Sequence, residues 1–474
     1  MYQAFPDFFG YKRHKDESDN PSAAVSKRLN AQSDLYIYFY FHGLSVLNPK
    51  GSFCFITSNS WLDVGYGKDL QEFLLKHCHI KQIIDNQARR SFASADVNTV
   101  ICLFSAPEEE RGAVLDTTAR FVMFKTPFEG VLDPVIFEEV EKANERTNTP
   151  EHRIFPVPQR KLLESGGDYQ TPVKYTGDKW GGKYLRAPDI YWTILEKGRD
   201  KLVRLGDIAE VRRGITTGAN EFFYLDAEAV ERWEIEEEFL KPVIYSLREL
   251  VCIEDQLDGL ERKIFLCHES KSRLRGTNAL TYIEWGQRNG FHKTPSCRSR
   301  PLWYSLAEGW NPAPYIFPAK VGERMLVLSN QRGVLEDKKL YGVTPFEEGP
   351  EFLYAGLLNS TLVRFFMDLS CRQLTGAQSI ADVDVRVVKE IPILPTGLIS
   401  NNQHLFRLAY DQVKLRPIEQ RVTDEYTMPD RRALDAIIFD ALDLTQGERD
   451  GVYEAVVELV EARLSKGKSL NQQS

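Results

Sequence analysis

Three short apolar runs near the start of the chain constrain its fold more than any other feature. Residues 53–57, 80–85 and 99–104 are rich in β-branched and aromatic side chains, and helical or turn-forming segments separate them. Runs of this length and composition are typical of buried strands. Residues 68–79 form an amphipathic pattern between the first two runs and predict a helix. This alternation indicates an α/β sheet.

Another helix is predicted before the first strand, in an aromatic stretch at residues 33–48. Its apolar side chains recur at helical spacing, with Ser33 or Asp34 as the cap and with Pro49 and Gly51 as stop signals. We therefore expect a buried helix there. Three strands with two helices leave one edge of the sheet uncovered and the hydrophobic core incomplete. The sequence thus predicts an incomplete sheet.

The length of 474 residues predicts two to four domains, because a single core stops growing at roughly 250 to 300 residues. We expect a first domain at residues 1–106, a connecting region at 107–200, a domain of alternating short strands and helices at 201–398, and a helical region at 399–474.

Two of these regions contain more local signals. In the connecting region, residues 121–124 predict a strand, 134–144 a helix and 166–182 a long connection. Near the C-terminus, Thr445 and Glu448 form a capping-box pattern between predicted helices at 431–443 and 447–465.

Charge and cysteine usage limit the possible classes of protein. The net charge of −8 does not exclude a nucleic-acid partner, because nucleic-acid binding depends on where Lys and Arg cluster. In this sequence they cluster at residues 201–213 and 288–300. Seven cysteines without a CxxC pair suit neither a disulfide framework nor a zinc ribbon and favour a reducing cytoplasm. With no apolar window of about 18 residues, we expect a cytoplasmic protein that is neither secreted nor membrane-spanning.

The segment from Asp34 to Phe104 carries a series of short motifs. They are Asp34-Leu35-Tyr36, Phe39, Leu47-Asn48-Pro49-Lys50-Gly51, Phe55-Ile56-Thr57-Ser58-Asn59-Ser60-Trp61-Leu62, Tyr66-Gly67-Lys68, Ile83-Ile84-Asp85, Phe92 and Val97-Asn98-Thr99-Val100-Ile101. In order and spacing they resemble the later motifs of TaqI-like adenine-N6 DNA methyltransferases and of the larger type IIG restriction-modification enzymes. The resemblance implies a partial Rossmann-like methyltransferase sheet.

The resemblance also implies roles for two phenylalanines. Phe92 stands where the family places the aromatic ring that contacts the extruded adenine, and Phe39 where a ring packs against the adenine of S-adenosylmethionine. A base that is swung out of the duplex has to be held between flat apolar surfaces. The alternative is that both are ordinary core phenylalanines.

Two motifs that methyl transfer needs are missing from the chain. No Pro-Pro dipeptide occurs, so the Asn-Pro-Pro-Tyr type of loop that orients the amine is absent. Gly65-Tyr66-Gly67 stands at the wrong place for a cofactor loop and is predicted to be a turn. We therefore expect no catalytic residue on this chain and no activity from it alone. His77-Cys78-His79 has no third ligand and predicts no metal site.

A second series of motifs covers residues 202–395. Residues 205–218, Leu-Gly-Asp-Ile-Ala-Glu-Val-Arg-Arg-Gly-Ile-Thr-Thr-Gly, are followed by 353–364, then Gly376, then Ile391-Pro392-Ile393-Leu394-Pro395. These motifs resemble the TaqI-like specificity domain, which is related to the target-recognition subunits of type I restriction systems. The resemblance implies an α+β target-recognition domain after the partial sheet, followed by C-terminal helices.

Two segments of this domain are candidates for DNA contact. Arg212, Arg213, Thr216 and Thr217 place guanidinium groups and backbone N–H donors near one loop, which suits phosphate contacts. The alternative is a solvated loop. Basic and aromatic residues interleave in the second segment, as a base-reading surface would need, although half of them could pack the domain; they are Trp285, Arg288, His292, Lys293, Arg298, Arg300, Trp303 and Tyr304.

Three functional hypotheses follow. In the first, the chain is part of an adenine-specific methyltransferase of a restriction-modification system that uses S-adenosylmethionine and double-stranded DNA, and the rest of the catalytic domain either lies on an upstream polypeptide or was lost by truncation. In the second, it is a non-catalytic DNA-binding specificity subunit. In the third, it is a protein-interaction scaffold, which would show no salt-dependent affinity for DNA.

Overall fold

The computed structural model divides the chain into two units. It describes residues 3–10, 29–92, 95, 97–108, 112–131, 133–167, 174–254, 260, 262–306, 308–374 and 379–469. Unit 1 comprises Met1–Pro188, Leu369–Ala381 and Glu458–Ser474, and unit 2 comprises Asp189–Asp368 and Asp382–Val457. Gly376 of the predicted specificity motifs lies outside the described residues.

A six-stranded mixed sheet organises unit 1. Its strands are β1 (Ser52–Ser58), β2 (Ile80–Asn86), β3 (Thr99–Ser105), β4 (Thr118–Phe124), β5 (Thr147–Asn148) and β6 (His152–Pro158). The spatial order is β1-β3-β2-β4-β6-β5. Strand β3 is antiparallel to both β1 and β2, and β2 is parallel to β4. The three predicted strands are confirmed, each within one residue of its expected start and end.

The sheet continues into the region that we expected to be a connection. The strand predicted at 121–124 is confirmed, and it pairs with β2 in register from Gln82↔Arg120 to Asn86↔Phe124. Strand β6 then pairs antiparallel with β4. The expected boundary at residue 106 therefore falls between two strands of one sheet. Pairing partners that lie far apart in sequence leave no local pattern, which is why this extension was not predicted.

The first long helix, α1 (Leu35–Ser45), packs on one face of β1. The carboxylate of Asp34 caps it by accepting a hydrogen bond from the Leu35 N–H at 2.7 Å, so one of the two predicted caps is confirmed. The buried Tyr40 hydroxyl lies 2.8 Å from the hydroxyl of Thr57. A Cβ atom at Gly43 would lie 2.3 Å from the Phe53 ring, so only glycine permits this close approach.

The predicted turn at Gly65-Tyr66-Gly67 is confirmed as a 3₁₀ turn that leads into helix α2 (Lys68–His77). The buried Gln71 amide of α2 donates to the carbonyl of Trp61 at 3.1 Å and so ties the helix to the preceding chain. A Cβ atom at Gly67 would lie 1.9 Å from the same carbonyl oxygen. The turn is therefore packed against its own backbone.

Unit 1 also contains the helices α3 (Pro134–Lys142) and α4 (Gln159–Ser165). The helix predicted at 134–144 is thereby confirmed. Short turns of helix lie at Pro6–Phe9, Asn59–Leu62, Phe128–Gly130 and, as a π-helical turn, Gly181–Arg186. Within the predicted long connection, residues 168–173 lie outside the described part of the chain.

Unit 2 contains short strands and many short helices. From residue 203 onward, the strands are β7 (Val203–Arg204), β8 (Ala209–Arg213), β9 (Tyr224–Leu225), β10 (Leu240–Ile244), β11 (Lys263–Phe265), β12 (Tyr315–Pro318), β13 (Lys320–Val321), β14 (Leu328–Ser329), β15 (Leu335–Glu336), β16 (Leu340–Pro345), β17 (Arg372–Leu374), β18 (Ile380–Asp382) and β19 (Pro392–Ile393). Of these, β17 belongs to unit 1. Two four-stranded sheets of unit 2 have the orders β15-β10-β11-β9 and β14-β12-β16-β8.

Helices surround these sheets and dominate the C-terminal region, as the sequence predicts. They are α5 (Asp189–Lys197), α6 (Leu205–Ile208), α7 (Asn220–Phe223), α8 (Ala227–Trp233), α9 (Asn278–Arg288), α10 (Pro295–Arg298), α11 (Glu351–Leu358), α12 (Thr361–Ser370), α13 (Val385–Glu390), α14 (Gln403–Leu415), α15 (Val422–Glu425), α16 (Pro429–Ala441) and α17 (Gln446–Lys468). Among the described residues, no helix is long and apolar enough to cross a membrane.

The predicted capping box at the start of α17 is confirmed. The Glu448 carboxylate accepts from the Thr445 N–H at 2.7 Å, and the Thr445 hydroxyl accepts from the Glu448 N–H at 3.4 Å. The helix starts in unit 2, and its last turns, from Glu458 onward, belong to unit 1. A side chain near its end, Lys466, therefore reaches the sheet of unit 1.

Gly67→Ala should destabilise unit 1, because its new methyl group would overlap the Trp61 carbonyl oxygen. We expect a loss of about 3 kcal/mol or more in the free energy of unfolding, measured as a lower urea midpoint of the isolated chain. Gly130→Ala is the matched control, since no atom lies within 4 Å of its Cβ position. Equal midpoints for the two variants would contradict this packing.

Candidate functional site

The carboxyl ends of β1 and β2 meet at one edge of the sheet in unit 1. Both strands are antiparallel to β3 between them, so they run parallel to each other. Asp85, at the end of β2, accepts hydrogen bonds from the Asn59 amide at 3.3 Å and from the Lys466 ammonium at 2.9 Å. Asp85 and Lys466 are both buried. In open α/β sheets this edge is where ligands bind.

The loop after β2 is held in a defined conformation. The Asn86 side-chain oxygen accepts from the N–H groups of Ala88 and Arg89 at 2.9 and 3.0 Å, and its amide donates to the Thr126 carbonyl at 2.9 Å. The Thr99 hydroxyl donates to that of Ser91 at 2.7 Å and fixes the far end of the loop. Phe92 follows directly.

Both predicted phenylalanines are largely exposed. Phe92 is 43% exposed beyond this loop, and Phe39 is 51% exposed on α1. An ordinary core phenylalanine is almost fully buried, as Phe41 on the same helix is. Neither ring therefore packs as a core residue does.

From the sequence, one residue is predicted to contact S-adenosylmethionine, Phe39, and its ring is exposed. A cofactor loop needs glycines so that a ligand can approach the backbone, but the space beside Gly67 is filled by the Trp61 carbonyl. A ligand therefore cannot approach the backbone at Gly67. Among the described residues, no cluster of His, Cys, Asp and Glu suits a metal ion.

In unit 2, one arginine joins the two segments that we predicted to contact DNA. The Arg300 guanidinium donates to the carbonyls of Thr216 and Thr217, both at 2.8 Å. Gly218 follows with a φ of 78°, and a Cβ atom there would lie 2.4 Å from Ser296. A positive φ and this close approach both require glycine. The turn at 214–218 is thus braced against helix α10.

The candidate DNA contacts differ in how accessible they are. Thr216 is exposed, whereas Thr217 is fully buried and its hydroxyl donates to the Asn220 side chain. Arg300 is half-buried, and its guanidinium stabilises the turn through its hydrogen bonds to the two threonine carbonyls. The exposed cations of the two segments are Arg213, Arg288, Lys293 and Arg298.

The aromatic residues of the second segment belong to the core. The Trp303 ring lies 4.7 Å from that of Phe222, and the Trp285 ring stacks 5.3 Å from that of Tyr282. Tyr304 is buried, and its hydroxyl donates to the Glu269 carbonyl at 2.8 Å. The pattern of alternating basic and aromatic residues thus separates into a basic surface and a packed interior.

Arg212 is held by groups that the sequence did not reveal. Its guanidinium stacks on the Trp310 ring at 4.0 Å, donates to the Asn311 carbonyl and lies 3.6 Å from the Glu336 carboxylate. Glu336 is fully buried, and its burial raises its pKa to about 7 although Arg212 lowers it. Glu336 lies 124 residues after Arg212 in the chain, and no local pattern links the two.

Two family models match parts of the chain. The model described as Eco57I restriction-modification methylase matches residues 10–92, and the model described as the C-terminal domain of the type II methyltransferase M.Eco57I matches residues 177–377. The first match includes Phe39 and Phe92, and the second includes every candidate DNA contact named above.

Two curated methyltransferases and one solved restriction-modification enzyme are similar to this chain. The chain is 22% identical to the type II methyltransferase M.AccI of Acinetobacter calcoaceticus, over 76% of this chain and 62% of that protein. It is 22% identical to the type II methyltransferase M.BanIII of Aneurinibacillus aneurinilyticus, over 72% and 60%. Its fold resembles that of the type IIL restriction-modification enzyme MmeI, solved with DNA, at a TM-score of 0.53 and 14% identity over 90% and 53%.

These matches confirm the resemblance and the fold class that the sequence predicts. The chain spans about three fifths of the length of these curated relatives. The names of these proteins do not state which base is methylated.

Glu336→Gln should change how stability depends on pH. Because the folded state raises the pKa from 4.5 to about 7, the wild type loses stability as pH rises between these values. The glutamine side chain cannot ionise, so the variant does not lose this stability. The difference in free energy of unfolding, variant minus wild type, should therefore increase by about 3 kcal/mol between pH 4.5 and 7.5. Urea titration at several pH values measures this. Glu210→Gln, at an exposed position on β8, is the control; parallel pH profiles for all three proteins would refute the effect.

Proposed function

We propose that this chain, which resembles the methyltransferases of type II restriction-modification systems, supplies DNA recognition and base capture to a site-specific adenine-N6 DNA methyltransferase. The observation that carries the proposal is the brace from Arg300 to Thr216 and Thr217. It joins residues that lie 84 and 83 positions apart in the chain, and the exposed cations Arg213, Arg288, Lys293 and Arg298 belong to the two segments.

Local charge supports DNA binding in spite of the net charge of −8. Binding to the duplex depends on cations that neutralise phosphates, and their number sets the salt dependence. The four exposed cations supply this charge, and the exposed residue Thr216 adds a polar side chain. Arg212 has a different role in the proposal: it is fixed by Trp310 and Glu336, and such a rigid guanidinium suits a base edge better than a phosphate.

Base capture rests on Phe92. Its exposed ring follows a fixed loop at the carboxyl edge of β1 and β2. An enzyme that modifies a base has to hold it outside the duplex by stacking and by hydrogen bonds. Phe92 supplies a stacking surface, and Asn59 and Asp85 at the same edge supply polar groups.

The methyl donor of the complete enzyme is S-adenosylmethionine in this proposal. When bound, it would supply the methyl group for transfer to the adenine amine. The exposed ring of Phe39 would pack against its adenine. The rest of the donor site and the residues that orient the amine come from a further polypeptide in this proposal, because the sequence has no Pro-Pro dipeptide and the Trp61 carbonyl fills the space beside Gly67.

A non-catalytic specificity subunit is the alternative, and the missing Pro-Pro motif favours it. Both functions require DNA binding through unit 2. They differ in whether a polypeptide encoded directly upstream restores methyl transfer, and a coding region upstream without a glycine-rich loop and an Asn-Pro-Pro-Tyr motif would favour the alternative.

Removal of the exposed cations should weaken DNA binding. For the triple variant Arg288→Ala, Lys293→Ala and Arg298→Ala we expect at least about tenfold lower affinity for duplex DNA and a salt dependence that is less steep by about two to three. Fluorescence anisotropy at several salt concentrations measures both. Arg407→Ala, an exposed site on α14, is the control. An unchanged salt dependence in the triple variant would exclude this surface.

Phe92→Ala should impair base capture in the completed enzyme. With the upstream polypeptide present, we expect kcat/KM for DNA methylation to fall about tenfold, since stacking of a base on an aromatic ring contributes about 1 to 3 kcal/mol. Phe137→Ala, at an exposed position on α3, should leave it unchanged. Radiolabelled methyl transfer is the readout.

Two outcomes would contradict this assignment. Unchanged kcat/KM in the Phe92→Ala variant would show that the ring has a structural role and does not hold the target base. Measurable methyl transfer by the isolated wild-type chain would show that it holds a complete catalytic site, whereas we expect none.

A further inference from the structure

The last turns of helix α17 carry two cations in the interior of unit 1. Arg463 is 1% exposed and Lys466 is 6% exposed, and both belong to the part of the helix that lies in unit 1. The Arg463 guanidinium donates to the carbonyl of Ser379. Lysine and arginine are almost never fully buried without a partner, because the charge loses its hydration there. The end of this helix therefore needs polar or anionic partners inside the unit.

Lys466 contacts an anion at the carboxyl end of β2. Its ammonium donates to Oδ1 of Asp85 at 2.9 Å, and the same oxygen accepts from the Asn86 N–H at 2.7 Å. Oδ2 accepts from the Asn59 amide at 3.3 Å. Of these three donors Lys466 alone carries a charge, so it is the one that balances the buried carboxylate. It thereby fixes the end of β2, where the loop that leads to Phe92 begins.

A second contact from the end of α17 lies further along this loop. The Arg90 N–H donates to the Ser469 hydroxyl oxygen at 3.5 Å, and the same hydroxyl donates to the Lys466 carbonyl at 2.8 Å. Ser469 follows the helix directly, and Arg90 lies two residues before Phe92. The end of α17 thus contacts the loop both where it begins and close to the Phe92 ring.

The preceding N–H groups of the loop have acceptors within the sheet of unit 1. The Gln87 N–H donates to the Phe124 carbonyl of β4 at 2.8 Å. The next two N–H groups donate to the Asn86 side chain at 2.9 and 3.0 Å. Among residues 87–90, Arg90 is the one whose acceptor comes from α17, 379 positions later in the chain. Its N–H therefore reports on the contact between the helix and the loop.

We propose that Lys466 and Ser469 are positioning residues for base capture, because they hold residues 87–92, the Phe92 loop, in one conformation. The inference rests on the proposed function, in which the Phe92 ring stacks on the extruded adenine. Neither Lys466 nor Ser469 touches the base in this proposal. A stacking ring has to be placed closely, since a displacement of about 1 Å can reduce a rate about a hundredfold.

Hydrogen exchange tests the Phe92 loop in the isolated chain, without DNA or methyl donor. We expect its amide exchange to accelerate at least about tenfold in Lys466→Met and about threefold in Ser469→Ala, because local opening becomes easier. Lys468→Met and Ser465→Ala, at exposed positions of the same helix, are the matched controls and should leave the exchange unchanged. Ser469→Thr keeps the hydroxyl and should retain the wild-type exchange.

Thermal melting separates an effect on the loop from an effect on the whole unit. Lys466→Met should lower the melting temperature, because Asp85 then remains as a buried charge without its cation. Ser469→Ala should leave the melting temperature unchanged, because it removes one contact to a loop. Ser469→Ala therefore keeps the test decisive even if Lys466→Met fails to fold.

A double-mutant cycle in the completed enzyme tests whether Ser469 acts through Phe92. With the polypeptide encoded directly upstream present, Ser469→Ala should lower kcat/KM for DNA methylation about threefold, less than the loss expected for Phe92→Ala. In the Phe92→Ala background the same substitution should have no further effect, since the ring that it positions is gone. Affinity for duplex DNA, measured by fluorescence anisotropy, should stay unchanged in both backgrounds.

Two results would overturn the proposal. Wild-type exchange of the Phe92 loop in both Lys466→Met and Ser469→Ala would show that α17 does not hold this loop. Independent effects of Ser469→Ala and Phe92→Ala on kcat/KM would show that the serine acts on another part of the enzyme. Absence of methyl transfer by the wild-type chain with the upstream polypeptide would instead overturn the proposed function, and the exchange rates would still decide whether α17 fixes the loop.

Discussion

The position of β3 between β1 and β2 determines most of what unit 1 can do. Because β3 is antiparallel to both neighbours, it makes β1 and β2 parallel to each other and brings their carboxyl ends to one edge. That edge carries Asn59, Asp85 and the loop that ends at Phe92. There the Asn59 amide donates to the Asp85 carboxylate at 3.3 Å. The same pairing leaves the other side of β1 as the outer edge of the sheet.

Buried ion pairs connect distant parts of the chain within unit 1. Lys466, near the end of the last helix, lies 2.9 Å from Asp85, and Arg186 lies 2.9 Å from Asp63. A buried charge is tolerated only when it is paired and hydrogen-bonded. Loss of either partner leaves the other charge unpaired in the interior, so each pair favours one arrangement of the chain. The C-terminal helix thus takes part in shaping the candidate base pocket.

One segment of unit 2 contributes aromatic side chains to the interior and cations to the surface. Aromatic side chains around Phe222 form its interior, while Arg288, Lys293 and Arg298 face solvent. Two further arginines are fixed by the protein itself, Arg300 by backbone carbonyls and Arg212 by Trp310 and Glu336. These contacts hold both guanidinium groups in one position, Arg300 as a brace of the turn and Arg212 against an aromatic ring and a buried carboxylate.

The sequence by itself determined the features that depend on neighbouring residues. These include the Asp34 cap, the three first strands, the glycine turn before α2 and the capping box at Thr445, because side-chain spacing and local hydrogen bonds decide them. Only the tertiary structure decided that β4 and β6 extend the same sheet, that Lys466 meets Asp85 and that Glu336 meets Arg212. These contacts join residues far apart in the chain, and their partners are set by how whole elements pack. Local patterns predicted which residues could read DNA, and packing decided which of them face outward.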